Sequence, residues 1–122
     1  MRDELSARER RWLADPPHTL ARIATVDAAG LPHVVPTGWS FDPTCDELVL
    51  GGRDVPRTRR ARHVQATGKA AVVIDGTAPG PQWAPWALHV RGQARVDEDA
   101  GTIRVACDDI TSWGLVLSEE DG

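Results

Sequence analysis

The sequence predicts a mainly β protein, an antiparallel barrel of six strands with one or two short helices at its margin. Three observations carry this. From Trp86 to Val96 the residues alternate strictly, with Trp86, Leu88, Val90, Gly92, Ala94 and Val96 on one face and His89, Arg91, Gln93 and Arg95 on the other. Short segments of strand character follow one another at hairpin spacing, separated by Gly, Pro and Asp turn signals. A single helical segment lies among them, so the regular strand and helix alternation of a doubly wound sheet is missing.

In chain order, residues 4–13 form a short amphipathic helix with Leu5 and Trp12 on one side, ended by Pro16-Pro17. Leu20 to Val26 is a strand, residues 27–30 a turn, and Pro32 to Phe41 a second strand with His33, Val35, Thr37, Trp39 and Phe41 on one face. Pro36 has no N–H for a central ladder, so this strand bulges or lies at an edge there. After the turn at Asp42-Pro43-Thr44 come a strand from Glu47 to Leu50 and a helix from about Arg59 to Thr67, capped by Thr58 and stopped by Gly68. Ala70 to Asp75 is a short apolar strand, Gly76 to Pro85 a loop, Trp86 to Val96 the long strand and Thr102 to Ala106 the last. The tail carries Ser112-Trp113-Gly114-Leu115.

At 122 residues the chain is a single domain, 1–122, with one core. It has 41% apolar residues and no run long enough to span a membrane. The charged N-terminus lacks the apolar stretch of a signal peptide, so a cytoplasmic protein is expected. A net charge of −4 argues against a protein that coats nucleic acid. Cys45 and Cys107 are isolated thiols, and His18, His33, His63 and His89 are scattered as surface or structural residues, so no metal site is expected.

The chemistry concentrates in GGRDVPRTRRARHV, Gly51 to Val64, which holds five of the fourteen basic residues. Gly51 and Gly52 let backbone approach a ligand, Thr58 opens a helix, and Arg53, Arg57, Arg59 and Arg60 surround that opening. Free N–H groups and forked guanidinium donors suit a phosphate; the competing reading is a solvated basic helix face. A P-loop is absent, because Lys69 is followed by Ala70 and His63 stands where the first glycine belongs. No dinucleotide fingerprint or nucleophile elbow occurs, and Asp108-Asp109 reads as a turn. A phosphate site without an evident acid, base or nucleophile fits a protein whose cofactor carries the chemistry. Five tryptophans accompany one phenylalanine and no tyrosine. Trp12, Trp83 and Trp113 are read as core or subunit-contact residues, while Trp39 and Trp86 are candidates to flank a planar ligand or substrate, against the alternative that they simply pack. The apolar face of the long strand, with Trp113, predicts a symmetric dimer.

The runs Leu20 to Val26, Gly30 to Pro36, and Thr58 to Ala61 ahead of Lys69 to Asp75 resemble the pyridoxamine 5′-phosphate oxidase-like split-barrel superfamily. GWSFDP at 38–43, GGRD at 51–54, PWALHVRGQA at 85–94 and TSWGL at 111–115 resemble its actinobacterial branch, which uses the deazaflavin coenzyme F420. The similarity runs from residue 12 to 115. It implies a six-stranded split barrel, dimeric, with cofactor in a groove at the subunit interface. By the same resemblance Thr58, Arg59 and Arg60 hold the cofactor phosphate, Arg60 standing in place of the usual lysine. Val35, Pro36, Thr37, Gly51 and Gly52 line the ring and the adjoining chain. The implied activity is hydride transfer between reduced F420 and a small electrophilic or unsaturated substrate. The alternatives are an FMN-dependent oxidase or reductase at the same site, or a non-catalytic flavin- or haem-binding protein, because one fold hosts several functions.

Overall fold

The computed structural model describes residues 2–118. Two helices, α1 (Ala7–Ala14) and α2 (Arg59–Thr67), accompany eight strands: β1 (Ala21–Val26), β2 (Pro32–Thr37), β3 (Trp39–Asp42), β4 (Glu47–Leu50), β5 (Lys69–Thr77), β6 (Pro85–Asp97), β7 (Thr102–Ala106) and β8 (Asp109–Trp113). A turn of 3₁₀ helix, Val55–Arg57, precedes α2. The strands pair in the order β2-β1-β5-β6-β7-β4-β3, with β8 also on β6. Every pairing is antiparallel. This is a mainly β, split-barrel architecture.

The split is made by β6. Lys69 to Thr77 of β5 pairs with residues 85–93 of β6, while residues 94–97 pair with β7. Gly92 sits at the changeover, where a β-carbon would run into the Ala106 carbonyl and the Asp108 carboxylate. Only glycine fits there without a shift of backbone.

The expectation of six strands is corrected to eight. The run Pro32 to Phe41 is two strands, because residues 32–37 hydrogen-bond to β1 and residues 39–42 to β4 in the other sheet. Gly38 is the joint, its carbonyl accepting from Gly51 N–H at 2.9 Å. The alternation of faces survives that joint: Val35, Thr37, Trp39 and Phe41 are turned inward more than Val34, Pro36 and Ser40. Asp109–Trp113, expected as turn and tail, is the eighth strand; Asp108 instead accepts from Gln93 N–H at 3.0 Å. Pro36 lies in β2, an edge strand, where its missing N–H breaks no central ladder.

The helix expected at 4–13 spans residues 7–14, because Ser6 and Glu9 form a capping box. Leu5 and Trp12 are buried as expected. In α2 the Thr58 cap accepts from Ala61 N–H, and Gly68 closes the helix in the left-handed conformation at φ 68°.

The core is built from Ile23, Leu48, Leu50, Ile74, Leu88, Ile103 and Ile110, all fully buried. Each such side chain contributes about 1.5–3 kcal/mol by leaving water. Leu88 and Val90 of the apolar face of β6 point into this core, while Trp86 and Val96 of the same face are only partly buried. Leu20, Leu31, Val34, Trp83 and Trp113 are among the large apolar side chains left exposed. Trp83, expected as a core or subunit-contact residue, is not in the core: it is 84% exposed on the loop before β6.

Candidate functional site

The site forms where three segments meet: the Thr37-Gly38 joint, the end of β4 at Gly51-Gly52, and the first turn of α2. The Thr37 hydroxyl donates to the Gly51 carbonyl. Arg60 folds back across the same place, its Nη2 lying 3.5 Å from that carbonyl. Gly52, at φ 141°, lies directly beneath the guanidinium, and a β-carbon there would stand 2.6 Å from Nη2. Glycine is therefore needed for the backbone angle, while the guanidinium, at the end of a flexible side chain, could move aside for a β-carbon.

Arg60 is half-buried, and its Nε is buried without any hydrogen-bond partner. Burial, with nothing to offset it, pulls its guanidinium below the ordinary arginine value. Other arginines behave differently. Arg2, Arg10, Arg22, Arg57, Arg91, Arg95 and Arg104 each face a carboxylate. Among the described residues no carboxylate pairs with Arg60. A partly desolvated charge without a counter-charge is unfavourable, and an anion arriving from solution removes the penalty.

Successive residues of a helix point about 100° apart, so Arg59 and Arg60 diverge. Arg59 turns away from Gly52 toward the β1–β2 turn. There it lines a cavity of about 310 Å³ with Asp27, Leu31, Pro32, His33, Arg62 and His63. Thr58 caps the helix, and its hydroxyl hydrogen goes to the Val55 carbonyl at 2.6 Å. Arg57 is exposed and reaches toward Asp54 at 3.9 Å, and Arg53 is exposed. The structure thus brings Thr37, Gly51, Gly52 and Arg60 together and turns Arg59 into the neighbouring cavity, while Arg53 and Arg57 are exposed. Val35 is half-buried and Pro36 exposed on β2, next in the chain to Thr37.

Trp39 and Trp86, expected to flank a ligand, pack on Trp12 of α1. Trp39 stacks on it at 6.1 Å between ring centroids and 10° between planes, and Trp86 meets it at 5.5 Å and 57°. Trp39 Nε1 also donates to the Thr19 carbonyl at 2.9 Å. Both rings are partly buried against α1.

Sequence reasoning passed over His33 and His63. The signals were present: His33 shares the inward face of β2 with Val35 and Thr37, and His63 lies four residues after Arg59, on the same side of α2. A second depression of about 500 Å³, lined by Ala24, Val26, Ala71 and Gly92 among others, adjoins the cavity at Pro32. Both volumes are in the range of small-molecule sites. Among the described residues no helix is long and apolar enough to cross a membrane.

Comparison with known proteins places this geometry in context. The family model described as pyridoxamine 5′-phosphate oxidase matches residues 9–116. A 5a,11a-dehydrotetracycline/5a,11a-dehydrooxytetracycline reductase of Streptomyces rimosus subsp. rimosus is 29% identical over 104 residues, covering 77% of this chain and 73% of the relative. Among solved structures, an FAD binding protein from Mycobacterium smegmatis superposes with a TM-score of 0.65 at 20% identity, covering 89% of this chain and 94% of that one. An FAD-binding protein from Mesorhizobium loti gives 0.65 at 15% identity, covering 88% and 94%. These two share the fold.

Proposed function

We propose, from the premise that the chain belongs to the pyridoxamine 5′-phosphate oxidase family, that it is a flavin-type oxidoreductase using coenzyme F420 to reduce a small unsaturated or electrophilic molecule. The observation that carries the reading is the half-buried Arg60 guanidinium above Gly51-Gly52, with an orphaned Nε and no carboxylate partner among the described residues. The residues fit an anionic group. Arg60 and Arg59 would hold the phosphate, and the backbone at Val35, Pro36, Thr37, Gly51 and Gly52 would lie along the remainder of the cofactor.

When bound, the reduced deazaflavin supplies the hydride. The chain's own residues bind and orient: the guanidinium groups neutralise the anion, and the Thr37 to Gly51 hydrogen bond fixes the backbone against which the ligand rests. The name of the Streptomyces relative, a reductase of dehydro compounds, supports reduction of a carbon skeleton. The names of the structural neighbours support a flavin-type cofactor. The reading includes a cytoplasmic homodimer acting on a small molecule. FMN in the same cradle is the second reading; the neighbours named as FAD-binding support a flavin-type cofactor without selecting FMN.

Titrating the purified chain with F420 and FMN side by side tests this. Binding of F420 tighter than FMN, weakened by Arg60→Ala, is the expected result. Tighter FMN binding selects the second reading, and binding of neither removes the cofactor assignment.

A further inference from the structure

Two imidazoles close the cavity beside Arg59. His33 of β2 and His63 of α2 meet edge to face, their ring centroids 5.6 Å apart and their planes at 88°. His63 is buried, and its Nδ1 lies 2.9 Å from Thr25 Oγ1 of β1, which fixes the ring. The charged groups around His33 come from two elements. Arg59, Arg60, Arg62 and His63 belong to α2, and Asp27 to the β1–β2 turn.

Asp27 sets a single negative charge against this concentration of positive charge and acts on His63. Its Oδ1 already accepts from the N–H groups of Ala29 and Leu31, both at 2.9 Å. His33 is half-buried, and burial first, then the charges of Arg59, His63 and Arg60, hold its imidazole below the ordinary histidine value. A proton added to His33 would join like charges, which disfavours the imidazolium form in the empty site. Among the described residues no group of three His, Cys, Asp or Glu side chains could hold a metal ion. The cavity suits an anion.

We propose that His33 and His63 complete the cradle for the ligand's phosphate, and that His33 takes up one proton from solvent as that group docks. This rests on the phosphate-holding reading of Arg59 and Arg60. A phosphate monoester such as that of FMN brings close to two negative charges at neutral pH, offsetting much of the positive field at His33 and favouring imidazolium. By linkage, a ligand that raises the affinity of a histidine for its proton binds more tightly as pH falls. The intact site therefore prefers a phosphate monoester at about pH 6.5 to the same ligand at about pH 8, the ligand's own protonation near pH 6 taking back only a part of the gain.

The experiment is calorimetric titration of the full chain with FMN, and in parallel F420 and inorganic phosphate, across that pH interval in buffers of different ionisation heat. His33→Gln and Arg60→Ala accompany the wild type. Expected for FMN are an affinity rising roughly three- to tenfold from pH 8 to 6.5 and uptake of up to about one proton per site. His33→Gln is expected to bind with an affinity independent of pH, and the His33 imidazole signals in a ¹H–¹⁵N spectrum to titrate at higher pH with FMN present. Flat wild-type affinity without proton uptake, or an unchanged slope in His33→Gln, overturns the proposal even while Arg60→Ala still weakens binding and upholds the phosphate site. Binding of none of the three probes overturns both. If His33→Gln fails to fold, the imidazole titration of the wild type with and without FMN decides alone.

Discussion

The Ser112 hydroxyl donates to Glu9 Oε2 at 2.5 Å, tying the last strand of the barrel to the first helix. Glu9 is 1% exposed, and its carboxylate also receives both terminal nitrogens of Arg2, at 2.9 and 2.5 Å, and the Ser6 N–H at 2.8 Å. Burial pushes this carboxyl up, but the hydrogen bonds from Arg2, Ser112 and Ser6 together outweigh it and bring it down to about 2.

A carboxyl depressed in the folded state stabilises the protein above its unfolded value and loses that contribution as pH falls through its folded value. Glu9 therefore contributes fully above about pH 4.5, on the order of 3 kcal/mol, and progressively less toward pH 2. Glu9→Gln should lower stability by that order at neutral pH and make the acid limb of the profile shallower. Urea titrations between pH 2 and 7 check this, and an unchanged acid limb would count against it.

Arg60→Ala should have opposite effects on binding and on the empty protein. Losing a charge-assisted contact weakens anion binding by about 1–3 kcal/mol. Removing a half-buried guanidinium that has no carboxylate partner should leave the melting temperature of the ligand-free chain unchanged or higher. A lower melting temperature without ligand would mean that Arg60 already has its counter-charge within the protein.

Gly92→Ala places a methyl group against the Ala106 carbonyl and the Asp108 carboxylate. The backbone cannot yield as a side chain would, so a loss of about 1–3 kcal/mol is expected, visible as a lower denaturant midpoint. Full stability would show that β6 and the β7–β8 connection are free to separate.

Leu31, 68% exposed, and Val34, 62% exposed, stand on the β1–β2 hairpin beside the cationic cavity. Burial of such side chains in a symmetric contact is the expectation for a dimer. Light scattering should give twice the chain mass, and Val34→Asp should shift the protein toward monomer. A monomeric wild type at working concentrations would dismiss the subunit-interface groove.

The mainly β class, the α2 boundaries, the Thr58 and Gly68 caps and the edge position of Pro36 were legible, because each depends on local chemistry: alternation, capping oxygens, a missing N–H. The break at Gly38 was not, since the same alternation runs through both β2 and β3 and only the change of partner strand separates them. The strand Asp109–Trp113 escaped because its pairing is set by β6, some twenty residues earlier. At the site, composition marked the arginine cluster but could not say that Arg59 and Arg60 turn to different neighbours. Glu9 was hidden for a related reason, as the groups that make its burial tolerable lie at residues 2, 6 and 112.

The thirteen residues of β6 have a consequence for how the molecule comes apart. Detaching one sheet strips β5 and β8 from the front of the strand, and detaching the other strips β7 from its end, so each separation leaves unpaired backbone on the same continuous segment. Neither half of the barrel survives as a finished object once the other has opened. Unfolding should then be all-or-none, and the amide protons of Val90 and Val96, one in each half, should exchange through a shared opening event with equal free energy.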